Sequence, residues 1–171
     1  MNKIVITGMG AVTPIGIGVA KYWNGLVSGV HGIGKITRFD ASALPVQIAA
    51  EVKGFDATEH MPRKLAREMD LFMQYGYVAA EEAMQDADLH PDAPEARTVP
   101  AERIGIVVGT AFAGIATIAE TQNSISTGAQ SKVSPRFVPK VIGNIAAAQI
   151  AIAKGLRGPS LTVTPACSSG A

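Results

Sequence analysis

The chain has 171 residues, 47% hydrophobic and 17% charged, which is enough apolar material for one sizeable core in a soluble, single-domain globular protein. Fifteen basic and fourteen acidic residues give a net charge of +1, which argues against a nucleic-acid-binding protein. A single cysteine excludes an internal disulfide, no apolar run approaches the roughly twenty residues of a membrane span, and no signal-peptide pattern precedes the first apolar run. We therefore expect a cytoplasmic protein that binds neither membrane nor nucleic acid.

Continuous runs of β-branched residues predict three strands that are covered on both faces. In chain order they are residues 3–7 (KIVIT), 103–108 (RIGIVV) and 160–164 (SLTVT). Longer patterns with helical periodicity lie between these runs. Strands separated by helices predict an α/β fold with a mainly parallel sheet.

The first predicted strand runs into a glycine-containing stretch, TGMGAVTPIG. Gly8 and Gly10 match the start of a dinucleotide-binding loop, in which glycines let the backbone approach a pyrophosphate. Thr13 occupies the place of the third glycine, Pro14 follows it, and the acidic residue expected about twenty positions further on is not apparent. We interpret the stretch as a structural turn. The three histidines lack the spacing of a metal pair, so we expect neither a cofactor nor a metal.

Two later segments are predicted to be helical. Residues 67–87 carry apolar side chains at steps of three and four, which predicts one amphipathic helix. Another helix is predicted to begin at Pro139 and to end at Gly155. Its three consecutive alanines, at residues 146–148, allow a neighbouring element to approach closely. The proline-rich, charged segment of residues 90–102 is predicted to be an exposed loop.

The last predicted strand runs into the stretch PACSSG, which contains the single cysteine, Cys167. Its small residues permit a sharp turn that opens a helix at Cys167. Unpaired backbone N–H groups at a helix start favour a thiolate, and they can also hold the oxyanion of an attacked thioester. A free cysteine is also a common buried packing residue. The residues alone leave nucleophile and packing residue equally open.

Six stretches occur in order over nearly the whole chain: IVITGMGAVTPIG, FDAS followed by IAAEVKGFD, RKLAREMDLFMQYGYVAAEEAM, RIGIVVGTAFAG, SPRFVP and GLRGPSLTVTPACSSG. Together they resemble the N-terminal half of a β-ketoacyl-acyl carrier protein synthase of the type II elongating class. The resemblance implies a thiolase-like layered fold (αβαβα). Residues 1–171 would form roughly its N-terminal half, and a second half outside this sequence would complete it.

The resemblance also implies a two-step reaction. In the family, the cysteine takes an acyl group from an acyl carrier protein, and the acyl-enzyme condenses with a carbanion made by decarboxylating malonyl-acyl carrier protein. This favours Cys167 as the nucleophile, with its backbone N–H as an oxyanion donor. The family's assisting histidines and lysine lie in the second half, so we expect residues 1–171 alone to be inactive.

Two positions depart from the family pattern. Pro165 stands where a threonine usually precedes Ala-Cys, which removes one backbone N–H and stiffens the turn. Phe112 stands at the floor of the acyl pocket, where the family usually carries a smaller residue. A phenyl ring there would favour short or medium acyl chains, or an unusual acyl group. The alternative is that Phe112 packs in a dimer core.

The resemblance implies two kinds of protein partner. A homodimer is expected, with Phe112 and Phe137 approaching the partner subunit, and a heterodimer is possible. The acyl carrier protein is expected to contact three basic residues at the start of a helix, Arg63, Lys64 and Arg67. Ordinary surface charge explains these basic residues nearly as well.

Other functions compete with fatty acid elongation. The first is a ketosynthase subunit of a polyketide or aryl polyene pathway, which Phe112 favours. The second is a non-catalytic partner subunit such as a chain-length factor, which Cys167 argues against. A thiolase fits the TPACSSG stretch less well. A small binding or structural protein made of residues 1–171 alone is disfavoured, because so apolar a chain would lack a complete core without the second half.

Overall fold

The computed structural model describes residues 3–129 and 133–170. In this part of the chain, helices alternate with short strands that pair two by two, so the predicted α/β class is confirmed. None of these helices is long and apolar enough to cross a membrane. The helices are α1 (Val19–Val27), α2 (Arg63–Glu68), α3 (Leu71–Asp86), α4 (Ile115–Ser126), α5 (Phe137–Val141) and α6 (Ile145–Lys154). The strands are β1 (Val12–Thr13), β2 (Gly16–Ile17), β3 (Ile33–Lys35), β4 (Ile48–Ala50), β5 (Ile106–Gly109) and β6 (Ser160–Val163).

Strands β5 and β6 form a parallel ladder, from Ile106 opposite Ser160 to Gly109 opposite Val163. Helices α4, α5 and α6 make the crossover that a parallel pair requires, and α6 packs on both strands. The predicted parallel pairing is confirmed for β5 and β6, whereas the ladders β1–β2 and β3–β4, which form separate two-stranded sheets, are antiparallel. Only two residues join β1 to β2, a connection that closes an antiparallel pair and cannot close a parallel one.

The first predicted strand does not form. Residues 3–7 pair with no strand in the described chain, and the side chain of Ile4 is 98% exposed. A β-branched run becomes a strand only where a neighbouring strand accepts its hydrogen bonds, and none lies beside this one. The prediction that strands are covered on both faces is also wrong for residues 103–108 and 160–164, because Val107 is 65% and Leu161 58% exposed.

The glycine stretch packs against helix α3. A Cβ atom at Gly8 would overlap the carbonyl oxygen of Ala83, and one at Gly10 would overlap that of Ala79. Only glycine lets the backbone lie this close to a helix. The contact supports the interpretation of TGMG as a structural turn.

Two carboxylates on α3 hold the segment that follows. Asp86 Oδ2 accepts a hydrogen bond from the backbone N–H of Met9 at 3.0 Å. Glu82 accepts from Ala11 at 2.9 Å and from Val19 at 2.7 Å. Val19 is the first residue of α1, whose N-cap is a glycine without a side-chain acceptor. Glu82 therefore caps α1 from another helix.

The helix predicted over residues 67–87 is divided into α2 and α3. Met69 is extended (φ −107°, ψ 141°), and Asp70 caps the start of α3 by accepting from Phe72 N at 3.4 Å. Aspartate favours N-caps over helix interiors, so the break falls where its side chain can bind a free N–H. The main core lies around this break and on α6. Its buried members are Ala57, Met61, Ala66, Met69, Met73, Tyr77, Val78, Ala146 and Ile150.

The helix predicted from Pro139 is also divided. Helix α5 starts two residues earlier, at Phe137, and Ile142 is extended between α5 and α6. The predicted end is confirmed, since Gly155 terminates α6 in a left-handed conformation with φ +64°. Residues 90–102 form the predicted loop, interrupted by two single 3₁₀ turns, Pro94–Ala96 and Ala101–Arg103.

Candidate active-site cysteine

Cys167 lies just beyond the carboxyl end of β6. Residues 164–165 lead from the strand into a single 3₁₀ turn, Ala166–Ser168, in which Cys167 is the second residue. The predicted helix opening at Cys167 is therefore only one turn long in the described residues. The thiol is exposed, so Cys167 is not a packing residue of this part of the chain.

The backbone of this turn is constrained. Ala166 has φ +51°, in the left-handed region that costs an L-residue roughly 1–2 kcal/mol. The two serines close the turn with their hydroxyls, since Ser168 Oγ donates to Pro165 O at 2.8 Å and Ser169 Oγ donates to Ala166 O at 2.6 Å. Within the described residues, no acceptor takes the backbone N–H of Cys167. An exposed thiol and a free amide thus stand on the same residue of a rigid turn.

The cysteine turn rests on the end of the neighbouring strand. A Cβ atom at Gly109, the last residue of β5, would overlap the carbonyl oxygen of Ser169. The next residue, Thr110, donates its backbone N–H to Val163 O at 3.1 Å and so extends the ladder by one bond. Ligand sites of parallel sheets lie at the carboxyl ends of the strands, and Cys167 is at such an edge.

A second loop leaves this edge from β5 and carries Phe112. Thr110 Oγ1 donates to the carbonyl oxygen of Phe112 at 2.6 Å, which folds the loop back on itself. The Phe112 side chain is 75% exposed, so it is not packed in the core of the described residues. Its predicted place in an acyl pocket or a dimer core stays a prediction.

Phe137 belongs to an element that adjoins the Phe112 loop. It is the half-buried first residue of α5. At the start of α4, a Cβ atom at Gly114 would lie 2.5 Å from Lys140 O and 2.7 Å from Val141 Cα, so α4 begins directly against the end of α5. Gly114 has φ +59°, which suits glycine at this close approach. The two phenylalanines therefore lie on packed segments, although no contact joins their rings.

The three predicted docking residues lie on α2. Arg63, Lys64 and Arg67 are all exposed, and Arg63 and Arg67 line a surface depression of about 420 Å³. This depression is lined only by residues between Phe55 and Gln74, so it is separate from the cysteine turn. Glu68, at the end of α2, pairs with Arg136 at 3.8 Å.

Two buried ionisable residues near this framework were not predicted. Asp70 is 7% and Lys154 3% exposed. Lys154 Nζ lies 2.7 Å from Glu81 and 3.1 Å from Asp92, and 4.8 Å from the ring centre of Tyr77. Burial disfavours the charged lysine, but the contacts with Glu81, Tyr77 and Asp92 outweigh it and raise the pKa of Lys154 above its ordinary value. A lysine in the last turn of a helix gives no sequence signal of burial.

Comparisons of the sequence and the fold with known proteins show which family the chain belongs to. The family described as "Beta-ketoacyl synthase, N-terminal domain" matches residues 1–171. The chain is 39% identical over 169 residues to 3-oxoacyl-[acyl-carrier-protein] synthase 2 of Vibrio harveyi, covering 99% of this chain and 40% of that protein. It therefore spans about 40% of the length of this relative.

Solved structures agree in fold. The ishigamide ketosynthase/chain length factor superposes with a TM-score of 0.79 at 28% identity, over 94% of this chain and 39% of that one. A type II PKS ketosynthase, solved in complex with its acyl-carrier protein and bound to the hexaketide, superposes with a TM-score of 0.69 at 22% identity, over 90% and 39% of the two chains. The chain thus belongs to the β-ketoacyl synthase family, whose N-terminal domain it matches along its whole length.

Proposed function

We propose that this chain is the N-terminal half of a β-ketoacyl-acyl carrier protein synthase, in which Cys167 accepts the acyl group. The observation that carries the proposal is the exposed thiol of Cys167 in a hydrogen-bonded turn at the carboxyl edge of the β5–β6 ladder. The 39% identity to 3-oxoacyl-[acyl-carrier-protein] synthase 2 supports the same reaction.

The proposed chemistry has two steps. The Cys167 thiolate attacks the thioester carbonyl of an acyl carrier protein, a new C–S bond forms at Sγ, and the carrier thiol leaves. The free N–H of Cys167 donates to the oxyanion of the tetrahedral intermediate. In the second step, malonyl-acyl carrier protein loses CO₂, and its carbanion attacks the acyl-enzyme. The Cys167 thiolate leaves, and the product is a 3-oxoacyl carrier two carbons longer.

The proposal requires a second half outside residues 1–171. That half would complete the thiolase-like αβαβα fold and supply the groups that assist decarboxylation. The exposure of Val107 on β5 and Leu161 on β6 supports it, because a parallel ladder is normally covered on both faces. A reducing compartment such as the cytoplasm would keep the Cys167 thiol free.

The acyl chain is proposed to lie beside Phe112. The loop that carries the exposed Phe112 ring follows β5 at the same sheet edge as the cysteine turn. An acyl chain attached to Cys167 Sγ would therefore start beside this loop. In a homodimer, the Phe112 loop and Phe137 would approach the partner subunit, because α4 and α5 pack together beside this edge. A phenyl ring at this position would favour short or medium acyl chains.

Carrier docking is proposed on the exposed basic side of α2. Within the described residues, no ion pair involves Arg63, Lys64 or Arg67, so their charges are available to an acidic partner. The nearby negative charge of Glu68 is matched by Arg136. Complementary charge of this kind mainly accelerates encounter and fixes orientation.

Mass spectrometry of the full-length protein tests the nucleophile. After incubation with an acyl-acyl carrier protein, we expect a mass increase equal to the acyl group, located on the peptide that contains Cys167. Cys167→Ala should gain no mass. Ser168→Ala is the matched control, since it changes the neighbouring residue of the same turn and should still be acylated. Acylation of Cys167→Ala equal to wild type would overturn the assignment, as would a wild type that accepts no acyl group.

A ketosynthase subunit of a polyketide pathway is the second candidate. The TM-score of 0.79 to a ketosynthase/chain length factor at 28% identity favours it, together with the large residue at position 112. The same acylation assay separates the two functions. An elongating synthase of fatty acid synthesis would accept short and medium saturated acyl groups from the carrier protein. A polyketide enzyme would accept polyketide starters and would not accept these saturated acyl groups.

A further inference from the structure

One buried carboxylate joins the start of α3 to the start of α4. Asp70 is 7% exposed, and its Oδ1 accepts from the backbone N–H of Phe72 at 3.4 Å, in the first turn of α3. Its Oδ2 accepts from the backbone N–H of Thr117 at 3.3 Å and from the Thr117 hydroxyl. Asp70 thus caps two helices with one oxygen each.

Helix α4 depends on this cap from outside. The N-cap of α4 is Gly114, which has no side chain to accept a hydrogen bond from the first turn. Thr117 is the third residue of α4, the position at which an N-cap side chain normally binds. A negative charge at a helix N-terminus is also favourable. Asp70 therefore supplies the acceptor that the local sequence of α4 lacks.

The cap fixes one end of the Phe112 loop. At residue 110 the loop is held by the hydrogen bond from Thr110 N to Val163 O, and at Gly114 it enters the helix that Asp70 caps. Because the Phe112 ring is 75% exposed, packing in the described residues does not fix its position. The two ends of the loop, together with the hydrogen bond from Thr110 Oγ1 to Phe112 O at 2.6 Å, therefore determine where the ring lies.

We infer that Asp70 is a positioning residue for Phe112 and through it sets the acyl-length preference of the enzyme. This inference rests on the proposed function. In the described residues, the Asp70 carboxylate bonds Phe72 and Thr117, and no hydrogen bond joins it to Cys167. It acts by holding the first turn of α4, so that the Phe112 ring stays where it limits the acyl chain.

Asp70→Asn in the full-length protein is the main test. An amide has one carbonyl oxygen, so asparagine can cap α3 or α4 but not both. We expect kcat/KM for a long acyl carrier relative to a short one to rise about fivefold or more, because a released first turn of α4 lets the Phe112 ring move away from the acyl chain. Thr117→Val, which removes only the hydroxyl bond on the α4 side, should shift the ratio in the same direction, and Thr117→Ser should not. If Asp70→Asn does not fold, the length ratio of Thr117→Val tests the inference instead.

Asp56→Asn is the matched control. Asp56 is another capping aspartate, with bonds to Thr58 N at 2.8 Å and Thr58 Oγ1 at 2.7 Å, but it caps a 3₁₀ turn, Ala57–Glu59, that belongs to neither α3 nor α4. It should leave the length ratio at the wild-type value. A double-mutant cycle tests the route, because Asp70→Asn should shift the ratio no further once Phe112→Gly has removed the ring.

Hydrogen exchange separates this inference from the proposed function. Amides of residues 110–118 should exchange faster in Asp70→Asn than in wild type, whether or not any acyl group is accepted. Unchanged exchange there would overturn the inference, and so would a wild-type length ratio in both Asp70→Asn and Thr117→Val. A wild-type protein that accepts no acyl group would instead overturn the proposed function, and the exchange result would still decide the role of Asp70.

Discussion

At the scale of single residues, Lys154 is, with Asp70, one of two buried charged residues in the described part of the chain. Its ammonium group connects α6 to α3 through Glu81 and to the loop of residues 90–102 through Asp92. A buried cation with two carboxylate partners is stable only as a complete set, because removing one partner leaves an uncompensated charge. Lys154 therefore connects α6, which packs on β5 and β6, to α3 and to the loop of residues 90–102.

Lys154→Met should destabilise the protein by about 3 kcal/mol, because it leaves the half-buried carboxylate of Glu81 unpaired. Denaturant unfolding of the full-length protein measures this. Because the pKa of Lys154 is raised, its contribution to stability is fully present below the ordinary pKa of 10.5 and is lost only as pH rises through the raised pKa. The difference in unfolding free energy between Lys154→Met and wild type should therefore be the same at pH 6 and pH 8. Arg157→Met is the control. It breaks an exposed pair with Glu102, worth about 0.5 kcal/mol. Equal losses in the two variants would contradict the prediction.

At the scale of elements, the parallel ladder places two loops side by side. The cysteine turn follows β6 and the Phe112 loop follows β5, and their separation is set by the close contact between Gly109 and Ser169. The contact is backbone against backbone, so no side-chain rotation can relieve an added methyl group.

Gly109→Ala should therefore displace the cysteine turn. We expect the rate of acyl transfer to Cys167 to fall by about tenfold or more, since a small misplacement of a reacting group is costly. Stability should fall by about 1–3 kcal/mol. Gly143→Ala is the control, because a Cβ there would make only ordinary contacts of 3.7 and 3.8 Å with Thr110 and Ala113. Single-turnover acylation and denaturant unfolding measure both effects, and unchanged acylation in Gly109→Ala would refute the role of the contact.

The elements differ in how far local sequence determines them. The end of α6 at Gly155 and strand β6 follow from local signals, namely a left-handed glycine and a β-branched run. The break between α2 and α3 at Asp70 was not predicted, because the apolar periodicity continues across it. The break has a local cause, the preference of Asp70 for an N-cap, and a tertiary one, since the carboxylate also binds Thr117, 47 residues away. Residues 3–7 do not form the predicted strand, because a strand depends on a partner strand that its own sequence cannot specify.

At the scale of the whole molecule, the apolar face of β5 and β6 and the basic residues of α2 lie on different elements of the described chain. The exposed apolar side chains of β5 and β6 lie beside the candidate site, whereas Arg63, Lys64 and Arg67 lie on α2 around a separate depression. The family resemblance made Cys167 and these basic residues candidates, because both lie in contiguous motifs. Asp70 and Lys154 were missed, because their partners are distant in sequence and only the fold brings them together.

The separation of charge from the thiol predicts that docking and chemistry respond to different substitutions. Arg67→Glu should weaken the encounter with an acyl carrier protein, raising KM several-fold at low salt while leaving kcat nearly unchanged. Because the interaction is between exposed charges, the difference from wild type should shrink as salt is raised and the Debye length falls below about 10 Å. Arg157→Glu makes the same change in net charge at another exposed arginine, outside the depression, and should leave KM at the wild-type value. Steady-state kinetics of the full-length protein over a range of salt concentrations measure this. An effect of Arg67→Glu that does not depend on salt, or an equal effect of Arg157→Glu, would place the carrier elsewhere.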